Sequence, residues 1–340
     1  MTRLTQAIVN LTRLTSLSTR VLANIPFTAT GLVQRPPSYT VPAFVNLGIA
    51  GYFGGGSDAV GLISGIDKIT FPADTKTTLS ATLTSARSNL DAMANNGVAG
   101  YFAGGYDGSV SLSAIDKITF PADTRTTLSA TLTSVVQSSG GMANSGVAGY
   151  FGGGYEAGYL SRIDKITFPA DTKTTLSATL TTGVENMGAM ANSGVAGYFG
   201  GGDDSVGNLS RIDKITFPAD TKTTLSATLT SAVTQDAGMA NSGVAGYFGG
   251  GNNAGYLSRI DKITFPADTK TTLSATLTTG RQLLAAMADS GVAGYFGGGS
   301  DGVLLSGIDK ITFPADTKTT LSATLTSARR DHAAMANGPI

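Results

Sequence analysis

The apolar positions of this chain alternate over short stretches, and the stretches themselves recur over a long period. In residues 127–133, Leu128, Ala130 and Leu132 alternate with Ser129, Thr131 and Thr133, the two-residue rhythm of a half-buried strand. Upstream, Ile115–Phe120 sets Ile118 and Phe120 on one face. Val98–Phe102 is a third apolar run, ended by glycines, and Ala92–Ala94 a fourth, followed by Asn95-Asn96-Gly97. Asn and Gly tolerate positive φ, so that triplet reads as a hairpin turn. Pro121-Ala122-Asp123-Thr124 reads as another, because Pro fixes φ and removes a donor. The pattern predicts four antiparallel strands, lettered in chain order: A, Ala92–Ala94; B, Val98–Phe102; C, Ile115–Phe120; D, Thr127–Thr133.

The unit occurs six times. Gly-Tyr-Phe-(Gly/Ala)-Gly-Gly places its tyrosine at Tyr52, Tyr101, Tyr150, Tyr198, Tyr247 and Tyr295, at spacings of 49, 49, 48, 49 and 48. Ile-Asp-Lys-Ile-Thr-Phe-Pro-Ala-Asp-Thr starts at Ile66, Ile115, Ile163, Ile212, Ile260 and Ile308. Burying Ile118, Phe120, Leu128 and Leu132 yields roughly 6–12 kcal/mol per unit. Ordering the unit costs several times that in backbone entropy. Units must therefore stack, and a ring leaves no unstacked end. The small strand A suits the crowded axis, so the expected fold is all-β: a six-bladed propeller, four antiparallel strands per blade, with its channel lined by the Ala-Met-Ala strands. Two segments match strand A of the first blade, residues 43–48 and residues 334–338. The second is favoured, because it would tie the ring shut with the chain end.

Composition narrows the function classes. Of the 340 residues, Lys and Arg number 23 and Asp and Glu 23, so there is no basic footprint for nucleic acid. Cysteine and tryptophan are absent and His332 is the only histidine, which removes zinc sites and histidine-based triads from consideration. No segment is long and apolar enough to span a membrane, and Arg3, Arg13 and Arg20 precede no signal-like apolar run. The glycine runs lack the Lys-Ser/Thr of a phosphate loop, and Asp203-Asp204 and Asp301-Gly302 lack recurrent calcium-loop spacing. Asp67, Asp116, Asp164, Asp213, Asp261 and Asp309 recur in every unit, each followed by Lys, which marks an architectural role rather than a catalytic one. No cofactor, metal or enzymatic activity is expected.

The period, the four strands and the glycines that end strand B, such as Gly104-Gly105, resemble the kelch repeat from about Ala43 to Gly338. The kelch tryptophan is missing, with Leu79, Leu128 and their counterparts roughly in its place. The recurring Gly-Tyr-Phe-Gly-Gly-Gly and Ile-Asp-Lys-Ile-Thr-Phe also resemble repeats of virion proteins of cyanophages and other aquatic phages, and those of bacterial surface proteins. The phage resemblance implies a tail-fibre, baseplate or head-fibre role in an extracellular particle.

Residues 1–42 match no repeat. Leu4, Ala7, Leu11, Leu14, Ser18, Val21 and Ile25 follow a heptad track, Pro26 ends it, and Gln34-Arg35-Pro36-Pro37 reads as a stiff linker. This arm reads as an oligomerisation stem, trimeric by preference, or a docking peptide for other virion proteins. The plainer alternative is a terminus packed along its own propeller.

The copies differ in two segments, between B and C (residues 57–65 and equivalents) and between D and the next A (residues 85–91 and equivalents). Antiparallel strands put both on one face of the disc, the loop face. The A–B and C–D turns form the opposite turn face and hardly vary. Exposed loops drift freely, yet exposed turns here have not. The loop face is thus the expected ligand surface, through Arg87, Tyr106, Asp107, Tyr155, Glu156, Tyr159, Asp203, Asp204, Asn252, Asn253, Tyr256, Arg281, Arg329, Arg330 and His332. Tyr and Arg are frequent at hot spots, and Asp and Asn suit sugar hydroxyls. The expected function is a receptor-binding virion protein that meets a host-surface glycan or protein. A virion decoration or adaptor protein, and a bacterial lectin-like surface propeller, are the alternatives.

Overall fold

The computed structural model describes residues 49–338. The expectations for residues 1–42, and for an inner strand at 43–48, lie outside the described residues. The 24 strands described form six four-stranded antiparallel sheets, each packed on the next and the last on the first. This is a six-bladed β-propeller. In blade two, strand A is Asp91–Asn95, B Ala99–Ala103, C Ile115–Thr119 and D Thr124–Thr127, in that order from axis to rim. Blade one takes its strand A from the chain end. Ala333–Asn337 pairs with Ala50–Gly54, Ala50 opposite Asn337 and Gly54 opposite Ala333.

Strand B is the centre of each blade and is buried along its length. Its first glycine is explained by the neighbouring blade. A Cβ built on Gly149 would lie 1.7 Å from Met93 Sδ, and one on Gly100 would lie 2.1 Å from Met335 Sδ. Each strand A methionine therefore enters the next blade at the one place where strand B has no side chain. The methionines of the Ala-Met-Ala segments therefore do not line the channel, although Met187 at the start of strand A in blade four does. The channel's narrow part is formed by the small residue before each of those segment methionines: Ala92, Gly141, Ala189, Gly238, Ala286 and Ala334 surround an axial cavity of about 80 Å³. The blades meet through rings as well. Tyr52 stacks on Phe120 of the following blade at 5.1 Å, and Tyr295 on Phe71 at 4.9 Å across the closure. Such pairs add about 0.5–1.5 kcal/mol each beyond their burial.

Strand D differs from its expected span. It occupies Thr124–Thr127, not Thr127–Thr133. Asp123 takes a left-handed conformation (φ 55) and donates its N–H to the Thr119 carbonyl at 2.8 Å, so the ladder restarts at once with Thr124 opposite Thr119. It ends when Leu128 N–H reaches the carbonyl of Ile115, the first residue of strand C and so the last that an antiparallel strand D can meet. Residues 128–133 have no strand left to pair with. Their alternation survives as burial: Leu132 is buried between exposed Thr131 and Thr133.

Replacing Gly149 by Ala forces Met93 out of its slot and should cost about 1–3 kcal/mol, as overpacked cores do. The denaturant midpoint measures it. An unchanged midpoint would show that the methionine yields freely and that this contact does not hold the blades.

Candidate functional site

The turn face is constant because it is internal structure. Tyr52 Oη donates to Asp123 Oδ1 at 2.8 Å and Lys68 Nζ reaches Asp123 Oδ2 at 2.6 Å, so blade one grips the Pro-Ala-Asp-Thr turn of blade two. The same grip repeats around the ring and closes with Tyr295 and Lys310 on Asp74. Burial, and then the hydrogen bond to the carboxylate, hold the Tyr52 phenol far above its ordinary range. The A–B turns are linked likewise: Gly146 N–H donates to Asn95 Oδ1 of the preceding blade at 2.8 Å, and Gly97 N–H to Asn337 Oδ1 at 2.6 Å. These turns are fixed by packing, so their invariance no longer sets the loop face apart as a surface under selection.

Four residues of the expected ligand set are buried and do not face that surface: Arg87, Arg281, Arg329 and His332. The arginines belong to a clasp between blades. The strand C carboxylate of Asp116 accepts the N–H of Thr84 at 2.9 Å and its hydroxyl at 2.5 Å, both from the preceding D–A segment. It also accepts Thr127 Oγ1 at 2.8 Å and Arg87 Nη2 at 3.0 Å. Burial pushes the Asp116 carboxyl up, but the Thr84 and Thr127 hydrogen bonds and the Arg87 charge outweigh it and leave it below its ordinary value. Across the ring closure, Asp67 is held the same way by Thr326 and Arg329.

The arginine comes from either of two places and never from both. In blades two, six and one it is Arg87, Arg281 or Arg329, three residues after the clasping threonine, and Ala114, Gly307 or Gly65 stands two residues before the aspartate. In blades three, four and five the first position is Val136, Val184 or Val233, and Arg162, Arg211 or Arg259 stands before the aspartate. Arg259 Nε lies 3.4 Å from Asp261 Oδ2. This complementarity was present in the sequence and would have identified the arginines as internal. Part of the loop-face variation is therefore compensation inside the clasp.

Two more expected residues cap their own loops. Asp107 Oδ1 accepts the N–H groups of Ser109 and Val110, each at 2.9 Å, and these bonds, Val110 first, hold its carboxyl low. Asp204 caps Val206 at 2.9 Å.

The remaining residues stay at least partly accessible on the loop face. Tyr106, Tyr155, Tyr159, Asp203 and Asn252 are half-buried, and Glu156, Asn253, Tyr256 and Arg330 exposed. Tyr155 and Tyr159 meet edge to face, 5.6 Å apart at 86°. Asp203 lies opposite Glu185 across the A–B pair of blade four, and accepts Thr234 Oγ1 at 2.5 Å and Asn186 Nδ2 at 3.2 Å. Burial, and then the Asp203 charge, push Glu185 up to about 7. Glu185 was missed, although it is the one acid at its position among the six copies. Glu156 accepts Ser134 Oγ at 2.6 Å, and Asn208 Nδ2 donates to the Asn252 carbonyl at 3.2 Å. The arrangement offers aromatic faces beside carboxyl and amide groups, which suits a ligand with apolar C–H faces and many hydroxyls. Among the described residues, no three His, Asp or Glu side chains form a group that could hold a metal ion.

No protein-family model matches the chain, and no curated protein matches it. Among solved structures, the one titled "Structure of YjhT" is similar at a TM-score of 0.64, over 79% of this chain and 97% of that one, with 14% sequence identity. At that identity the likeness shows the propeller fold and nothing finer.

The clasp can be tested by moving its arginine. Arg87→Val should cost about 3 kcal/mol, because it leaves a buried carboxylate short of its partner. Adding Ala114→Arg recreates the arrangement of blades three to five and should restore most of the loss. A double variant no more stable than Arg87→Val alone would refute the exchange. A second expectation concerns pH. Burial raises Asp91 to about 7 and Asp236 to about 8. Both hold a proton in the folded state that the unfolded chain releases above about pH 4. The folded state binds more protons in between, so stability should fall as pH rises from about 4 to about 8. Asp236→Asn should flatten that slope in denaturation measured across the interval.

Proposed function

We propose that this chain is a non-catalytic, ligand-binding propeller of a phage particle, a tail-fibre or receptor-binding protein whose loop face meets a host-surface glycan or protein. The observation that carries the reading is the aromatic group on that face. Tyr155, Tyr159 and Tyr256 stand where the copies differ, and none of them takes part in the clasp or in the grip on the turns. The phage assignment rests on the resemblance of the repeats. In this reading residues 1–42 attach the protein to other virion proteins or trimerise it. Single sites without a deep apolar pocket bind weakly, and several used at once would raise avidity by roughly 10²–10⁴. A decoration or adaptor role is the second reading, favoured by the internal use of Arg87, Arg281 and Arg329.

The test replaces Tyr155, Tyr159 and Tyr256 by Ala together, and separately Val147 and Val195 by Ser on the turn face, where both valines are half-exposed. Removing the tyrosines should lower host-cell adsorption at least about tenfold, as the loss of hot-spot residues does. The valine pair should leave it unchanged. Adsorption lost only with the valines would reverse the face. Adsorption kept in both would favour decoration.

A further inference from the structure

At the loop-face end of the axis, six residues with positive φ surround the channel: Asn89, Ser138, Asn186, Gln235, Leu283 and Asp331, at φ between 53 and 60. Such conformations cost of order 1 kcal/mol or more for a non-glycine residue and persist where the surroundings impose them. Here a backbone ring imposes them. Asn89 N–H donates to the Asp331 carbonyl at 2.8 Å, Ser138 to Asn89 at 2.8 Å, Asn186 to Ser138 at 2.9 Å, Leu283 to Gln235 at 3.1 Å and Asp331 to Leu283 at 3.0 Å.

Two cavities of about 80 Å³ each lie at this end and share Asp91, Met187, Asp236, Leu284 and His332 in their walls. The acids break the repeat. Asp91 stands where the other five copies have Gly or Ala, and Asp236 where they have Leu, Ser, Met, Leu and His. Blades two and five are three apart in a ring of six, so the two acids come from opposite sides of the axis. Asp91 accepts Ser139 Oγ at 2.7 Å. Asp236 Oδ1 accepts Gly188 N–H at 3.2 Å, whereas its Oδ2 has no partner although the residue is only 7% exposed. Buried polar atoms are nearly always paired, so an unpartnered carboxylate oxygen on a residue that lines both cavities marks a place for a donor.

The walls say which donor. Neither cavity is lined by Lys or Arg, so nothing there matches an anion. His332 carries no charge to repel a cation, because burial, and then the Arg329 charge, lower it to about 3. No metal-ligating group of three forms there. The volume admits two or three heavy atoms at roughly 30 Å³ each. We propose that the loop-face end of the axis binds a primary ammonium group, of a free amine or of a side chain or amino sugar on a partner, between Asp91 and Asp236. Its three N–H donors match the two carboxylates, and Asn89, Asn186 and Gln235 stand in the wall of the outer cavity. The raised carboxyls of Asp91 and Asp236 fit a site that is neutral when empty and ionises around a cation. The charges around them are Arg259 and Asp261 beside Asp236, Arg330 beside Asp331, and Arg329, Arg281 and Asp67 around His332.

The experiment is calorimetric titration of the full chain with methylammonium chloride at about pH 9.5, above the range in which both acids titrate. Sodium chloride and tetramethylammonium chloride at equal ionic strength are the controls. Saturable binding of methylammonium alone is expected. Asp91→Asn and Asp236→Asn should each weaken it about tenfold, the worth of one charge-assisted hydrogen bond, and together abolish it. The Tyr155, Tyr159 and Tyr256 triple variant should bind it unchanged, which separates this site from the loop surface. No saturable binding, equal binding of sodium or tetramethylammonium, or an unchanged affinity in the double Asn variant would overturn the proposal. Near-UV circular dichroism identifies any variant that has not folded. In that event methylammonium is titrated as the pH is lowered to about 5, and affinity that does not fall as the acids protonate overturns it equally.

Discussion

A four-stranded blade of this kind has two faces to cover, and the strand C carboxylate is where its neighbour is fastened. In blade two that carboxylate is Asp116, which takes the backbone N–H and hydroxyl of Thr84 from the preceding D–A segment. It is buried, so each lone pair needs a donor, and the donors come from Thr84, Thr127 and an arginine. An unpaired carboxylate there would be a large penalty, and a fully bonded one fixes where the next blade begins. Every D–A segment starts from this anchor. The loops beyond it are positioned by the clasp, and so is the approach of strand A to the axis.

The clasp divides the variable positions into two kinds. At one kind, the residues differ between copies because two side chains exchange the same task, as Arg87 with Ala114 does against Val136 with Arg162. At the other, the side chains take no part in the clasp: Tyr155, Tyr159, Asn253 and Tyr256 stand in loops whose backbone is already closed by bonds and bridges, with Tyr159 held against Tyr155 and Asp203. Only the second kind bears on the proposed ligand recognition. The turn face shows the converse. Its residues are exposed at the tips yet nearly invariant, because Asp123 and its counterparts serve the tyrosine and lysine of the blade before.

The axis follows a different rule. Small residues at Ala92, Gly141, Ala189, Gly238, Ala286 and Ala334 bring six strands close, and the methionines leave the channel for the slots over the strand B glycines. At the loop-face end the repeat is broken by Asp91, Asp236 and His332, so the pseudo-sixfold ring has a polar and asymmetric mouth. Both proposed binding sites therefore lie where the copies depart from one another without compensation, at the outer loops and at the axial mouth.

The sequence by itself determined the number of blades, the four strands and their order, because a period of about 49 residues and an alternation of two are local properties of the chain. It also carried, unread, the exchange of arginines between two positions. Strand D was placed late because the alternation of Leu128, Ala130 and Leu132 continues past the point where strand C runs out of partners. A sequence shows which face of a segment is apolar, and only the neighbouring strand decides where the ladder stops. The same reason governs the site. Arg87, Arg281, Arg329 and His332 look like surface residues in a variable loop, and burial between blades is a property of the closed ring. So is the meeting of Asp91 and Asp236, which stand 145 positions apart in the chain (236 − 91) and share one cavity only because six blades bring their inner strands to a single axis.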